Sequence, residues 1–440
     1  MNKPEGITVG IVGLGYVGLP LAVEFAEAGQ RVICVDTNVG RIAALRRGES
    51  YIEDIPEDRL RGVAANLEPT TRASRLALAD AIIVCVPTPL TANREPDLGP
   101  LTSAAAALSD VVQAGQLIVL ESTTYPGTTR ERVLPLLEET GLRAGRDFHV
   151  AFSPERVDPG RTDHTLRTTP KIVGGLTPAC RVRAEELYAL VCDEIVPVST
   201  LEVAEMSKLL ENIFRSVNIA LVNELGMLAD RMAIDIWEVV DAAATKPFGF
   251  MRFEPGPGMG GHCLPVDPFY LSWKARELDF ATEFIELAGK VNQQMPHYCV
   301  QKVERALNDD GKATRGSKVA VFGVAYKPGV GDTRESPALK IVAALQELGA
   351  EVVYHDPHVP KLATHGLSSQ SIDEVMRDVD LAVIVTAHPE VDHMAIAAAT
   401  RVVDLRGVTR PPQVGRHQRD GSTRFSHSDA PASIFERQAA

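Results

Sequence analysis

The sequence predicts an α/β protein: two parallel-sheet domains joined by a long central helix within a helical dimerisation region. Three observations carry this. Short apolar runs alternate with helical patterns through the first ~200 residues, as in a parallel sheet with crossover helices. From residue 199, a proline-free stretch keeps apolar residues at helical spacing for about nine turns. From residue 317 the strand–helix alternation resumes.

In order, "ITVGIV" (7–12) reads as a strand and residues 17–28 as a helix closed by Gly29. "RVICVD" (31–36), "AIIVCV" (81–86), "QLIVLE" (116–121), "FHVAF" (148–152) and "KIVGG" (171–175) continue the strands. The helix opening at "STLEVAEMSKLL" has Ser199 and Glu202 spaced for a capping box. Lying between two α/β regions, it serves as a spine and as a dimer interface. "KVAVFGVAY" (318–326), a helix in "RESPALKIVAALQELG", "AEVVYHD", "LAVIVT" and "TRVVDLRG" build the second sheet. The resulting division is 1–198, 199–305 and 306–410, with 411–440, polar and aperiodic, as a flexible tail.

Composition narrows the function. The chain has 440 residues, 45% hydrophobic and 23% charged, with a net charge of −13. Such a balance offers no basic stripe to displace counterions from phosphates, so no nucleic-acid partner is expected. No run approaches the ~18 apolar residues of a membrane span. The N-terminus has no signal-peptide pattern, which predicts a cytosolic protein. Six cysteines (34, 85, 180, 192, 263, 299) show no metal-ligand spacing, so no metal site is expected. Cys34 and Cys85 sit inside apolar strands as small hydrophobes; Cys263 does not.

Five motifs bear on chemistry. "GLGYVG", with Gly13, Gly15 and Gly18, follows a strand and opens a helix, and Asp36 ends the next strand. That context marks a dinucleotide turn, with the pyrophosphate at the helix N-terminus. Asp36 would accept the ribose hydroxyls and favour NAD over NADP, although Arg41 nearby is able to receive a 2′-phosphate. Second, "EPGPGMGGHCLPVDPFYL" (254–271) holds Cys263 in a rigid glycine–proline frame, with Asp267 four residues on. Spacing alone leaves a nucleophilic thiolate and a structural thiol in a turn equally open. Third, Lys208 and Asn212 share a face of the central helix at i, i+4. They suit an oxyanion, but on spacing alone a solvated polar stripe with Glu205 and Arg215 as neighbours is the better reading. Fourth, "ESTTYPGTT" (121–129) and "SPERVDPG" (153–160) follow strands at the edge where open α/β sheets bind ligands, placing Thr123 and Glu155 there. Turn chemistry accounts for the same residues. Fifth, "GVAYKPGVGDTRESP" (323–337) supplies Lys327 and Arg334, cations suited to a phosphate.

A dinucleotide site beside a candidate nucleophilic thiol fits oxidation of an alcohol past the aldehyde to an acid, through a thiohemiacetal and a thioester. At this point the chain resembles the nucleotide-sugar 6-dehydrogenase family, typified by UDP-glucose 6-dehydrogenase. The resemblance spans roughly residues 7 to 410 and rests on "GLGYVG", "CVPTPL", "EST", "SPER", "EMSKLLENIFRSVN", "GPGMGGHCLPVDP" and "AYKPGVGDTRESP" in the family's order. It implies two Rossmann-like domains, a homodimer formed through the central helix, and oxidation of a UDP-sugar at C6 with two NAD per product. Carried onto this sequence, it implies Cys263 as nucleophile, with Lys208 and Asn212 at the C6 oxygen. Asp267 and Thr123 would order the hydrolytic water, and Glu155 would handle protons. Gly13, Gly15, Tyr16, Val17, Gly18, Asp36, Arg41, Thr88, Thr123 and Arg334 would bind NAD. Glu155, Arg156, Lys208, Asn212, Arg252, Gly260 and Lys327 would hold the UDP-sugar.

UDP-glucose enzymes of this kind carry a second glutamate four residues after the one matching Glu155, where this chain has Pro159, and an arginine near position 247, which "TKPFGFMRF" lacks. With "NREPD" (93–97), the pattern resembles the branch acting on UDP-N-acetylhexosamines. UDP-N-acetylglucosamine is the expected substrate and a surface-polysaccharide precursor the expected product. UDP-glucose, UDP-N-acetylgalactosamine and UDP-N-acetylmannosamine are the alternatives within the family. Outside it stand a β-hydroxyacid dehydrogenase, which needs neither Cys263 nor a second α/β domain, and a non-catalytic nucleotide-binding protein.

Overall fold

The computed structural model describes residues 6–52, 54–91, 95–157, 163–261 and 266–410. The first sheet contains β1 (Thr8–Val12), β2 (Arg31–Val35), β3 (Leu67–Thr70), β4 (Ala81–Val84), β5 (Leu117–Leu120), β6 (His149–Phe152), β7 (Lys171–Gly175) and β8 (Ile195–Val198), in the order β3-β2-β1-β4-β5-β6-β7-β8. The two-core α/β architecture read from the sequence is the one observed. Its central strands are apolar throughout because both faces are covered: Val9, Ile11, Ile82, Ile83, Val119 and Ala151 are fully buried.

Three details differ from the sequence reading. β3 and β8 carry too few buried apolar residues to stand out; in β8 only intermediate and exposed positions occur. The sheet is also not wholly parallel: β6 and β7 pair antiparallel, while β7 and β8 run parallel to each other. Finally, the central helix spans Leu201–Arg231, and its N-cap is Thr200, whose hydroxyl accepts from the Val203 N–H. Ser199 therefore lies outside the cap, which falls one residue later than the capping-box spacing indicated.

The second sheet consists of β9 (Lys318–Phe322), β10 (Glu351–His355), β13 (Leu381–Ile384) and β14 (Val402–Asp404), ordered β10-β9-β13-β14 and parallel throughout. A separate two-stranded ribbon pairs β11 (Lys361–Leu362) with β12 (Leu367–Ser368). This half repeats the backbone plan of the first. The Gly13 N–H donates to Val35 O, and the Leu14 N–H donates to Asp36 Oδ2. Correspondingly, the Gly323 N–H donates to His355 O, and the N–H groups of Val324 and Ala325 donate to Asp356 Oδ2. In both halves an aspartate just beyond the second strand braces the turn after the first.

A second long helix, Glu283–Asp309, packs along the central helix and then onto the second core, where Cys299, Val303 and Leu307 are buried against β9 and β13 residues. It ties the two sheets together. No helix among the described residues is long and apolar enough to cross a membrane.

Candidate active site

The dinucleotide turn is built as its glycines require. Gly13 has φ +90°, and a Cβ there would stand 2.7 Å from Cys85 O; one on Gly18 would stand 1.9 Å from Gly13 O. Side chains at either place would push the first helix (Gly18–Glu27) off β1. At Gly15 an added Cβ would meet nothing within 4 Å, and no side chain caps the helix. The turn is thus open at a helix N-terminus, a cradle that fits a pyrophosphate. Asp36 sits at the mouth, and its Oδ2 also receives Arg41 Nη1 at 3.2 Å. Arg41 is therefore occupied by the carboxylate that would read the ribose, which disfavours a 2′-phosphate. From the other domain, Arg334 lies over the Tyr16 ring at 5.1 Å, so both halves of the chain meet at this turn.

A chain of hydrogen bonds leads from the cofactor edge to the central helix. Thr88 Oγ1 donates to Thr123 O at 2.8 Å, joining the loops after β4 and β5. The buried Tyr270 hydroxyl donates to Thr88 O at 2.9 Å from the helix Asp267–Arg276. One turn earlier, at the start of that helix, the Asp267 carboxylate accepts a short hydrogen bond from Asn212 Nδ2. Asn212 Oδ1 in turn accepts from Arg215. Asp267 and Asn212 are almost wholly enclosed, and Lys208 is 6% exposed one turn along the helix from Asn212.

The electrostatics centre on Lys208. Burial pushes the Asp267 carboxyl up to about 6, against the pull of Lys208, the Asn212 amide and Arg215. Glu155 is displaced the other way: burial raises it, but Lys171, the Val157 N–H and Lys208 together bring it below the ordinary glutamate range. The Lys208 ammonium thus acts on two carboxylates of opposite tendency, and no hydrogen bond joins it to either. A cation held in this way, beside a neutral amide, can stabilise negative charge developing on a ligand oxygen.

The glycine-rich loop passes between the domains. The Gly261 N–H donates to Arg334 O at 3.0 Å with φ +84°, and a Cβ on Gly260 would stand 2.7 Å from Tyr326 Cβ. Tyr326 and Lys327 belong to the turn after β9, so this loop brings the second domain against the central helix. Beside it opens a cleft of about 510 Å³ lined by Leu90, Met259, Phe269, Asn292, Arg334 and Lys340, among others. That volume suits a small-molecule ligand.

Of the residues picked from the sequence, Glu155, Lys208, Asn212 and Asp267 come together, and Thr88 and Thr123 adjoin them. Gly13, Gly15, Tyr16, Val17, Gly18, Asp36, Arg41 and Arg334 gather around the turn after β1. Arg156 lies next to Glu155, but its guanidinium is engaged by Pro170 O and Glu211. Arg252 is not drawn into the cluster: it pairs with Asp241 and Glu254. Cys263, Asp158, Pro159 and the segment 411–440 lie outside the described residues, as do two residues of "NREPD".

Sequence reasoning missed three contributors. Tyr270 clamps the Thr88 loop. Glu205, one turn before Lys208, accepts from the N–H groups of Gly127 and Thr129 and from the Thr129 hydroxyl, which ties the "ESTTYPGTT" loop to the central helix. Lys171 reaches Glu155 from the start of β7. The signal for Lys171 and Glu205 was a charged residue within an otherwise apolar buried pattern.

The chain matches the UDP-glucose/GDP-mannose dehydrogenase family along nearly its whole length: the NAD-binding domain over residues 7–192, the central domain over 202–294 and the UDP-binding domain over 320–411. It is 38% identical over 417 residues to a UDP-N-acetyl-D-mannosamine dehydrogenase of Pyrococcus horikoshii, covering 92% of this chain and 97% of that one. It is 38% identical over 357 residues to a UDP-N-acetyl-D-glucosamine 6-dehydrogenase of Pseudomonas aeruginosa, covering 81% and 84%. The solved structure of the Pyrococcus horikoshii UDP-D-ManNAc dehydrogenase superposes with a TM-score of 0.85 at 36% identity, over 93% of this chain and 97% of that one. With the dinucleotide turn, the enclosed Lys–Asn–Asp cluster and the second sheet in their places, the chain belongs to the UDP-glucose/GDP-mannose dehydrogenase family and is an NAD-dependent nucleotide-sugar dehydrogenase.

Proposed function

We propose that the enzyme oxidises the C6 hydroxyl of a UDP-N-acetylhexosamine, UDP-N-acetylglucosamine first, to the uronic acid, as a precursor of surface polysaccharide. The observation that carries the reading is the enclosed Lys208–Asn212–Asp267 cluster, whose Asp267 lies four residues after Cys263 in the sequence. NAD, when bound, accepts a hydride in each of two oxidations.

The chain's own groups do the rest. Glu155, held ionised, takes up the proton released as the alcohol becomes an aldehyde, and Lys208 with Asn212 steadies the C6 oxygen. The Cys263 thiolate adds to the aldehyde carbon, and the oxygen gains a proton to give the thiohemiacetal. Loss of a second hydride and a proton leaves a thioester. A water aligned by Asp267 and Thr123 then attacks the acyl carbon, the C–S bond breaks and the thiolate is restored. The sum is alcohol, two NAD and water to carboxylate, two NADH and three protons.

Gly13, Gly15, Tyr16, Val17, Gly18, Asp36, Arg41, Thr88, Thr123 and Arg334 form the NAD site in this reading. Glu155, Arg156, Lys208, Asn212, Arg252, Gly260 and Lys327 hold the UDP-sugar. The working domains are 1–198 for NAD, 199–305 for the central region and 306–410 for the UDP-sugar, and the enzyme works in the cytoplasm. Val203, Met206, Leu210, Phe214, Leu221, Leu225 and Leu228 form an exposed apolar stripe along the central helix. Their spacing of three, four or seven is that of a helix–helix seam, which supports a homodimer.

UDP-N-acetylmannosamine is the second reading, favoured by the greater coverage of the Pyrococcus horikoshii relative. The deciding experiment offers each UDP-sugar separately at limiting amount and counts NADH released. Two NADH per UDP-N-acetylglucosamine, with little from the others, is expected. One NADH per sugar would overturn the thioester route, and turnover of the manno epimer alone would move the substrate assignment.

A further inference from the structure

Glu155 reaches the site on a loop, yet it is fixed by charge from behind. Its Oε1 accepts from the N–H groups of Arg156 at 2.8 Å and Val157 at 2.6 Å, and its Oε2 receives Lys171 Nζ at 3.3 Å. The same ammonium lies 2.9 Å from Glu121 Oε1. Glu121 is closed off on its other sides by the Tyr188 hydroxyl at 2.5 Å and the Cys85 thiol at 3.8 Å. Lys171 and Glu121 are 2% and 0% exposed at their side chains, so this pair is enclosed, while Glu155 keeps 15% exposure.

The sheet reversal explains how it forms. In a parallel sheet a strand's first residue lies at the edge opposite the ligand site. β7 runs antiparallel to β6, with Phe152 opposite Gly174 and Ala151 opposite Gly175. Continuing that register three residues past Phe152 sets Glu155 against Lys171. The single antiparallel pairing in this sheet therefore delivers a buried cation to the catalytic edge, where Glu121 also emerges from β5.

We infer that Lys171 is a positioning residue for catalysis: its enclosed ammonium orients the Glu155 carboxylate and keeps it ionised, and Glu121 limits how strongly it does so. The inference rests on the proposed role of Glu155 in the proton chemistry. A lone buried carboxylate would take up a proton rather than remain charged, and one ammonium shared between two carboxylates divides its effect. Among the described residues, the titratable groups acting on Glu155 or on this cluster are Lys171, Glu121 and Lys208, with Tyr188, Cys85 and Cys192 coupled to them and Glu24 acting on Cys192. Lys208 also acts on Glu155 and is common to every variant below. Burial raises Glu121 although it is the nearer partner of Lys171, whereas Glu155, which also accepts from the Val157 N–H and feels Lys208, ends below its usual range.

The test is the pH profile of kcat/KM for the UDP-sugar in the full-length enzyme with saturating NAD. That ratio reports steps up to the first release of NADH and is insensitive to the later hydrolysis. Lys171→Met should move the acid limb upward by about one pH unit or more, lowering kcat/KM about tenfold at the acid end and much less at high pH. Lys171→Arg should return most of the shift. Glu121→Gln should move the limb downward, because Lys171 then serves Glu155 alone. This second variant leaves no carboxylate unpaired, so it decides the matter if Lys171→Met does not fold. Loss of kcat/KM by one factor at every pH, or an unmoved limb in Glu121→Gln, would overturn the inference and leave Lys171 a structural ion. Glu155→Gln separates the two levels: if it keeps the wild-type acid limb, the role of Glu155 itself has failed.

Discussion

Asn212 donates its side-chain amide to the carboxylate of Asp267 across 55 residues of sequence, and both side chains are closed to solvent. This bond joins the central helix to the helix that follows the glycine-rich loop. It holds a carboxyl group with a raised ionisation midpoint, four residues along the sequence from the expected nucleophile. The consequences can be measured.

Replacing Asp267 by Asn keeps the shape of the cluster but removes the carboxylate proposed to order water. Acid formation should fall about 100-fold or more, within the range of general-base effects, while the first NADH still forms. A covalent adduct on Cys263 should accumulate under substrate and NAD, visible in intact-mass spectra. Absence of an adduct would remove Asp267 from the hydrolytic step. Cys263→Ala should form neither adduct nor acid.

The pH dependence of kcat should follow Asp267. The group must be ionised to act, and burial places its midpoint at about 6. Below that pH, kcat should fall about tenfold per unit as the carboxyl is protonated, and above it kcat should level off. Stability should move the other way. An acid raised from 3.8 in the unfolded chain to about 6 in the folded one favours folding when protonated. Its contribution is present below about 4 and lost as pH rises through 6. Asp267→Asn should flatten both dependences, as read by initial rates and thermal melts.

Gly18→Ala tests the cofactor cradle. The new methyl would fall 1.9 Å from Gly13 O, so the first helix must shift off its strand. Overpacking of this kind costs about 1–3 kcal/mol. The KM for NAD should rise at least about tenfold for a displacement equivalent to 1.4 kcal/mol. An unchanged KM would show that the pyrophosphate does not use this turn.

The exposed stripe on the central helix gives a prediction about assembly. Leu225→Glu places a charge among Leu221, Leu228 and their neighbours without touching the buried face of the helix. The wild-type enzyme should sediment as a dimer and the variant as a monomer at the same concentration. A wild-type monomer would remove the proposed seam.

The sequence by itself determined the elements whose signal is local. β1, β2 and β4 to β7 could be read because strands buried on both faces are continuous apolar runs, and the central helix because its apolar period persists. The dinucleotide turn was legible because its glycines are demanded by backbone contacts within a few residues or across adjacent strands. β3 and β8 were not, since edge strands bury little and carry no such run. Lys208 and Asn212 read better as a solvated stripe, because one helix face reads the same whether it meets water or a partner carboxylate.

Only the tertiary structure decided the meaning of the polar residues. It enclosed Asp267 against Asn212, placed Arg334 over Tyr16, and turned β7 around so that a lysine at the start of a strand arrived beside Glu155. The physical reason is that burial and long-range pairing set the ionisation and orientation of a charged side chain, and neither is written in its neighbours along the chain. Backbone preferences act over a few residues; the polar pairs of this site join residues 16 and 55 apart in the chain.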